Sequence, residues 1–280
     1  MTAPTPVTRS TRTPRRRTAA RTLLVVLVVA VLTVGVVLAL RHAGTPGPEP
    51  AADPAPAATS SAPATSPAAT SAPAPSSSSP APPTFDRAQL SVDDPASTWV
   101  VVDKARPLDP LDFAPTDLVD VGNGRQLRAE AAQAMADMIG AAAAEGLTVT
   151  VQSAYRSYDH QVGTFGQQVA RFGQAKAEVQ VARPGYSEHQ TGLAADVGGG
   201  GCDIESCFAT TAEGQWVAAN GPRFGFVVRY PDGRQDVTGY KYEPWHLRYV
   251  GVALATELQR TGMPTLEEFF GLPAAPGYTD

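Results

Sequence analysis

The 280-residue chain has only four histidines and two cysteines, and its first 42 residues contain no acid. Each shortage narrows what it can be. Two cysteines cannot close a tetrahedral metal site by themselves, because a structural site of that kind takes four protein ligands. Four histidines leave few candidates for an imidazole-based centre. The missing acids divide the chain electrically. Seven arginines lie in residues 1–42, which leaves 15 basic residues against all 27 acids beyond them, a formal charge of −12. A body that acidic argues against nucleic acid as a partner, since phosphate binding needs a positive face.

The basic head precedes "LLVVLVVAVLTVGVVLAL", residues 23–40, an uncharged apolar run ended by Arg41. Its length suits a bilayer-spanning helix. The arginine excess predicts a cytoplasmic tail at 1–22, a single transmembrane anchor at 23–40, and everything after it on the far side of a bacterial cell membrane. A cleaved signal peptide, giving a secreted protein, is the competing expectation. Its apolar region should be shorter and followed by a small-residue cleavage site, whereas Arg41 and His42 follow here. Residues 41–84 are mostly Ala, Pro, Ser and Thr. That composition cannot build a packed core, so a disordered, extended linker is expected there.

From Phe85 to the end the composition turns globular and suits one domain. "TWVVVDKARPL" (98–108) reads as a strand running into a proline turn. Residues 128–146 form an Ala-rich periodic segment ending at Gly146, a helix with a glycine stop. "LTVTVQSAYRS" alternates as a strand does, and 158–172 reads as a helix. Thr210 and Glu213 have the spacing of a capping box. "FGFVVRYP" and "EPWHLRYVG" read as strands, the second because Pro244 disfavours a helix interior. "GVALATELQRTG" reads as a short helix. Strands and helices mix without a regular βαβ beat, so α+β is the expected class. Cys202 and Cys207 can close a small disulfide loop if their Cα atoms come within about 6 Å. A pair of metal-binding thiolates is the alternative, disfavoured by the oxidising side of a membrane.

"GYSEHQTGLAADV" (185–197) places His189 seven residues before Asp196. Thr191-Gly192 lets the chain turn, and small residues carry Asp196 in on a strand with room for a metal. Catalytic zinc takes three protein ligands and keeps a fourth position open. Of the remaining histidines, His42 sits at the apolar segment and His160 reads as a surface or packing residue on a helix. His246 in "YEPWHLRY" has Glu243 three residues before it. A hydrolytic site needs such a carboxylate, to take a proton from the attacking water and pass it to the leaving amine. The bland reading, a satisfied histidine pair with an ordinary surface acid, stays open on spacing alone. Arg156, between two tyrosines in "SAYRSYDHQ", can grip a carboxylate or stabilise an oxyanion. It reads equally well as a stacked structural arginine. Glu188 reads as a solvated acid.

"SAYRSYDHQ", "SEHQTGLAADV" and "YEPWHLRYVG", in that order, resemble the motifs of the VanY-like D-alanyl-D-alanine carboxypeptidases, zinc peptidases of the peptidoglycan. The likeness extends from about Trp99 to Gly262. It implies a single α+β domain at 85–280, with a small antiparallel sheet carrying the zinc site and helices at its flanks. It implies His189, Asp196 and His246 as ligands of Zn²⁺, Glu243 as catalytic base, and Arg156 facing the reacting carbonyl or carboxylate. Ser187 and Gln161 match positions lining the substrate cleft. The implied substrate is a stem peptide ending in D-Ala-D-Ala, cleaved outside the membrane. L,D-carboxypeptidase or endopeptidase action on the same stems is one alternative. A wall-binding module without activity is another, since folds outlive functions.

Overall fold

The computed structural model describes residues 85–279, which lie in the second of the chain's two units, Ser78–Asp280. Among the described residues no helix is long and apolar enough to cross a membrane. The expected single-pass placement is corrected on that finding. The segment 23–40 on which it rested, the basic tail and the linker all lie outside the described residues.

Two sheets carry the strands. β1 (Leu118–Asp120) and β2 (Gln126–Arg128) form an antiparallel hairpin that leads into helix α1 (Ala129–Ala144). The main sheet has the order β3-β4-β7-β6, with β5 paired to β4, and every pairing is antiparallel. Its strands are β3 (Thr150–Ser153), β4 (Ala194–Gly199), β5 (Cys202–Asp203), β6 (Phe226–Tyr230) and β7 (Glu243–Tyr249). Between β3 and β4 run α2 (Tyr158–Phe172), α3 (Gln174–Glu178) and a 3-10 turn, Glu188–Thr191. Helix α4 (Ala212–Asn220) follows β5, and α5 (Gln235–Thr238) joins β6 to β7. Helices α6 (Val252–Thr261) and α7 (Leu266–Phe270) finish the chain. This is a mixed domain built on a small antiparallel sheet, as expected.

The periodic segments form where their patterns place them. Helix α1 buries Ala131, Ala132, Met135, Met138 and Ala142, spacings of three and four that fall on one face. Ser157 caps α2, its hydroxyl accepting the His160 N–H at 3.2 Å. The cap of α4 falls one residue past the expected Thr210. Thr211 is the residue whose hydroxyl accepts the Gly214 N–H, at 3.0 Å. Pro244 lies inside β7.

The expected strand at 98–108 is the clear miss. Only an isolated bridge, Asp103 to Arg106, occurs there. The alternation that suggested a strand is nevertheless real. Val100 and Val102 enter the main core beside α1 and β4, while Trp99 and Val101 enter a second core with Leu254, Leu266 and Phe269. What differs is the backbone's partner. Arg248 Nη2 donates to the carbonyls of Thr98 (3.0 Å) and Val100 (2.7 Å), and Arg106 Nε donates to that of Val101 (3.2 Å). Guanidiniums satisfy carbonyls that a neighbouring strand would otherwise pair, as buried backbone requires.

Candidate metal centre

The register of the main sheet brings two of the candidate ligands together. Asp196 on β4 stands opposite His246 on β7 and, across β4, opposite Ser153 on β3. Side chains directly opposite on antiparallel strands lie within contact distance. His189 arrives from the 3-10 turn just before β4. Gly192 ends that turn at φ 70°, a left-handed conformation. A Cβ there would also press on Arg128, Leu118 and Pro115, so this turn is suited to glycine on two counts.

The three side chains are buried, and their ligand atoms lie within 4.8 Å of one another. His189 Nδ1 is 2.7 Å from the Ala154 carbonyl. A carbonyl only accepts, so Nδ1 carries the proton and Nε2 holds a lone pair. That Nε2 is buried without a hydrogen-bond partner, 3.3 Å from Asp196 Oδ2. Two acceptors facing each other in a buried site cost free energy unless a cation or a proton lies between them. Burial, reinforced by the Arg156 charge, lowers the His189 pKa to about 4, so the ring does not supply that cation itself. Neutral imidazole and carboxylate are the donor set zinc takes. The residues present therefore fit a bound Zn²⁺.

His246 sits between two carboxylates. Its Nδ1 is 3.1 Å from Asp196 Oδ1 and its Nε2 is 3.4 Å from Glu188 Oε2. Burial opposes a charge on this ring, but the hydrogen bonds to Asp196 and Glu188 outweigh it and raise the pKa to about 9. Without a metal, His246 is thus an imidazolium that neutralises Asp196. With one, Nδ1 is the nitrogen aimed at the ligand cluster.

Glu243 opens β7 and is buried. Burial raises its carboxyl to about pKa 8, with Asp196 adding to the effect and His246 opposing it. A carboxyl held near neutrality can both accept and return a proton. Arg156 follows β3, and its backbone N–H donates to the His189 carbonyl at 3.2 Å. Its Nε is buried without a partner. Burial lowers the guanidinium's pKa, against the pull of Asp196 and Glu243. Together with the three candidate ligands, Ser187, Glu243, Arg156 and Tyr230 line one cavity of about 420 Å³.

Gln161 is fully buried on α2 and donates to the Ala182 carbonyl at 2.7 Å. It does not line that cavity, whose α2 wall is made by Thr164, Gln168, Arg171 and Phe172. His160 is exposed, as read from the sequence. Cys202 and Cys207 form a disulfide, and Ile204 and Glu205 from the loop it closes stand in the cavity wall.

Sequence reasoning missed the support behind the site. Glu188 is not solvated. It is 1% exposed and accepts from Arg229 Nε and Arg248 Nη1, both at 2.8 Å. Arg229 in turn grips Glu267 of α7 through two bonds, at 2.9 and 2.6 Å. Burial disfavours the Glu188 charge, but the two guanidiniums hold its pKa well below the carboxylate range. A signal was present. Both "FVVRY" and "WHLRY" set one arginine between apolar or aromatic neighbours, and a guanidinium buried there needs a counter-charge.

Residues 124–252 match the family model described as VanY: D-alanyl-D-alanine carboxypeptidase. A D-alanyl-D-alanine carboxypeptidase of Enterococcus faecalis is 33% identical over 201 residues, 68% of this chain and 72% of that protein. The chain belongs to the VanY family. Solved VanY-like structures agree. The LdcB LD-carboxypeptidase, known for peptidoglycan recognition, matches with a TM-score of 0.59 and 41% identity, over 63% of this chain and 87% of its own. A variant of the vancomycin resistance D,D-pentapeptidase VanY, solved with Zn(II), matches with a TM-score of 0.54 and 32% identity, over 61% of this chain and 97% of its own. The matched range 124–252 includes the candidate ligands His189, Asp196 and His246, as well as Glu243 and Arg156.

Proposed function

We propose that this chain is a zinc-dependent D-alanyl-D-alanine carboxypeptidase, removing the terminal D-alanine from peptidoglycan stem peptides. One observation carries the reading. The buried, partnerless Nε2 of His189 faces Asp196 at 3.3 Å, beside His246, in a cavity that also holds Glu243 and Arg156. The VanY relatives, with their D,D-carboxypeptidase and Zn(II) descriptions, support it.

His189, Asp196 and His246 would hold the zinc. When bound, it would supply Lewis acidity and activation of the nucleophile. Glu243 accepts the proton of the attacking water and delivers it to the departing amine. Its carboxyl, buried in the same cavity as the candidate ligands, is placed for both halves of that transfer. Arg156, with an unused Nε, offers a donor to the reacting carbonyl or to the substrate's terminal carboxylate. Ser187 contributes a hydroxyl to the same cavity. The partner is a small peptide.

Removal of a terminal residue across an L,D bond is the second reading. The LdcB LD-carboxypeptidase, at 41% identity, favours it. Mass spectrometry of digested stems separates the two. Loss of one alanine from a pentapeptide stem, with a tetrapeptide left intact, is the D,D outcome. The reverse pattern overturns it. Elemental analysis should find zinc. Glu243→Gln should retain that zinc and lose about 10²–10⁴-fold in turnover. A Glu243→Gln protein with ordinary turnover would rule out the assigned base.

A further inference from the structure

We propose that Glu188 is a positioning residue for His246, and that it ties the metal-binding imidazole to a buried charge cluster joining both ends of the domain. The inference rests on the metal reading above.

His246 can give a metal only the nitrogen that faces Asp196, which is Nδ1. The ring's proton then resides on Nε2, and Glu188 Oε2, 3.4 Å away, is its acceptor among the described residues. A carboxylate behind a metal-bound imidazole fixes the ring's tautomer and orientation and raises its basicity. The two oxygens of Glu188 divide the work. Oε1 takes both guanidiniums, Arg229 and Arg248, at 2.8 Å each. Oε2 is left for His246. Two short bonds on one oxygen prevent the carboxylate from turning away from the ring.

The guanidiniums reach further. Arg229 holds Glu267 on α7, and Arg248 holds the carbonyls of Thr98 and Val100. Glu188, Glu267, Arg229 and Arg248 sum to zero charge, and all four are at most 2% exposed. Charge balance between Arg229 and Glu267 does not require Glu188. Arg248 does require it, and so does the His246 proton. The orientation of a candidate ligand is therefore set by contacts that also fasten residues 98–100 and α7.

Glu188→Gln tests this. The two arginines should claim the glutamine oxygen and turn its amino group against the Nε2–H. Zinc affinity is measured on the full chain by chelator competition, and the geometry of the site by the absorption spectrum of the Co²⁺-loaded protein. The expected result is a folded variant binding zinc about 10–100-fold more weakly, with a shifted Co²⁺ spectrum. Affinity within twofold of the parent and an unchanged spectrum would overturn the role of Glu188. Nitrogen-15 NMR of the zinc-loaded parent covers a variant that fails to fold. A slowly exchanging proton on His246 Nε2 is expected, and a proton on Nδ1 instead overturns the proposal. A parent chain that binds no zinc overturns the metal reading as well, so the two failures are distinct.

Discussion

Glu267→Gln removes one negative charge from the buried cluster and leaves its shape intact. In the parent, Arg229 bonds Glu267 through two oxygens, at 2.9 and 2.6 Å. Glutamine keeps one acceptor oxygen and turns a donor amide against the other guanidinium N–H, so one of these bonds is lost, while the 2.8 Å bond to Glu188 stays. The cluster changes from neutral to a net charge of +1. On a surface such a loss would matter by about 0–1 kcal/mol. Here both side chains are at most 1% exposed, and breaking a buried pair by removing one partner costs about 3–5 kcal/mol. For a domain of this size about 1 kcal/mol moves Tm by about 2–4 °C, so the melt should drop by about 6–20 °C. Urea denaturation followed by circular dichroism gives the free energy, and an unchanged m-value confirms that only stability moved. The paired change Glu267→Leu with Arg229→Met should recover most of the loss, because it leaves Glu188 and Arg248 balanced. A Glu267→Gln protein within 1 kcal/mol of the parent would refute the claim that this buried cluster depends on its charge balance.

Two further outcomes follow from single positions. Gly214→Ala should destabilise by about 1–3 kcal/mol, although alanine gains about 1 kcal/mol in a helix interior. Its Cβ would stand 1.8 Å from the Phe208 backbone oxygen, which no rotamer change can relieve; a higher urea midpoint would contradict this. Asp103 accepts the Ala105 N–H through Oδ1 but leaves Oδ2 buried and unpartnered, and burial raises its pKa above 3.8. The folded state thus holds this proton more tightly than the unfolded one. Asp103 makes stability fall as pH rises from about 3.8 towards the raised pKa. Asp103→Asn should remove that part of the slope, so the variant gains on the parent as pH rises. Parallel pH–stability curves would refute it.

Legibility varied with how local the cause was. Helices α1, α2 and α6 were readable because their burial periods, caps and glycine stops lie within one segment. The strands around Asp196 and His246 were readable for the same reason. The alternation of 98–102 was also legible, but its backbone partners are arginine side chains far away in the chain, and no local pattern announces them. The β1–β2 hairpin went unread although its signal is local: Gly122, Asn123 and Gly124, all at positive φ, make the turn between its strands. At the site, scarcity of histidine and three ordered motifs pointed to His189, Asp196, His246, Glu243 and Arg156. Gln161, matched to the cleft by resemblance, is instead found bonded to the Ala182 carbonyl.

The sequence by itself determined which residues were available for chemistry. It holds four histidines, an acid within three residues of three of them, and an arginine in each of two core strands. Tertiary structure decided which of these face one another. Asp196 meets His246 because β4 and β7 pair in one register, and a slip of one residue would have turned them to opposite faces. It also decided the ionisation of each group. Glu188 and Glu243 are both buried glutamates in one cavity wall, yet one is held ionised by two guanidiniums and the other is pushed towards its neutral form by burial. Only the fold sets the distance to a counter-charge, and that distance separates the two roles.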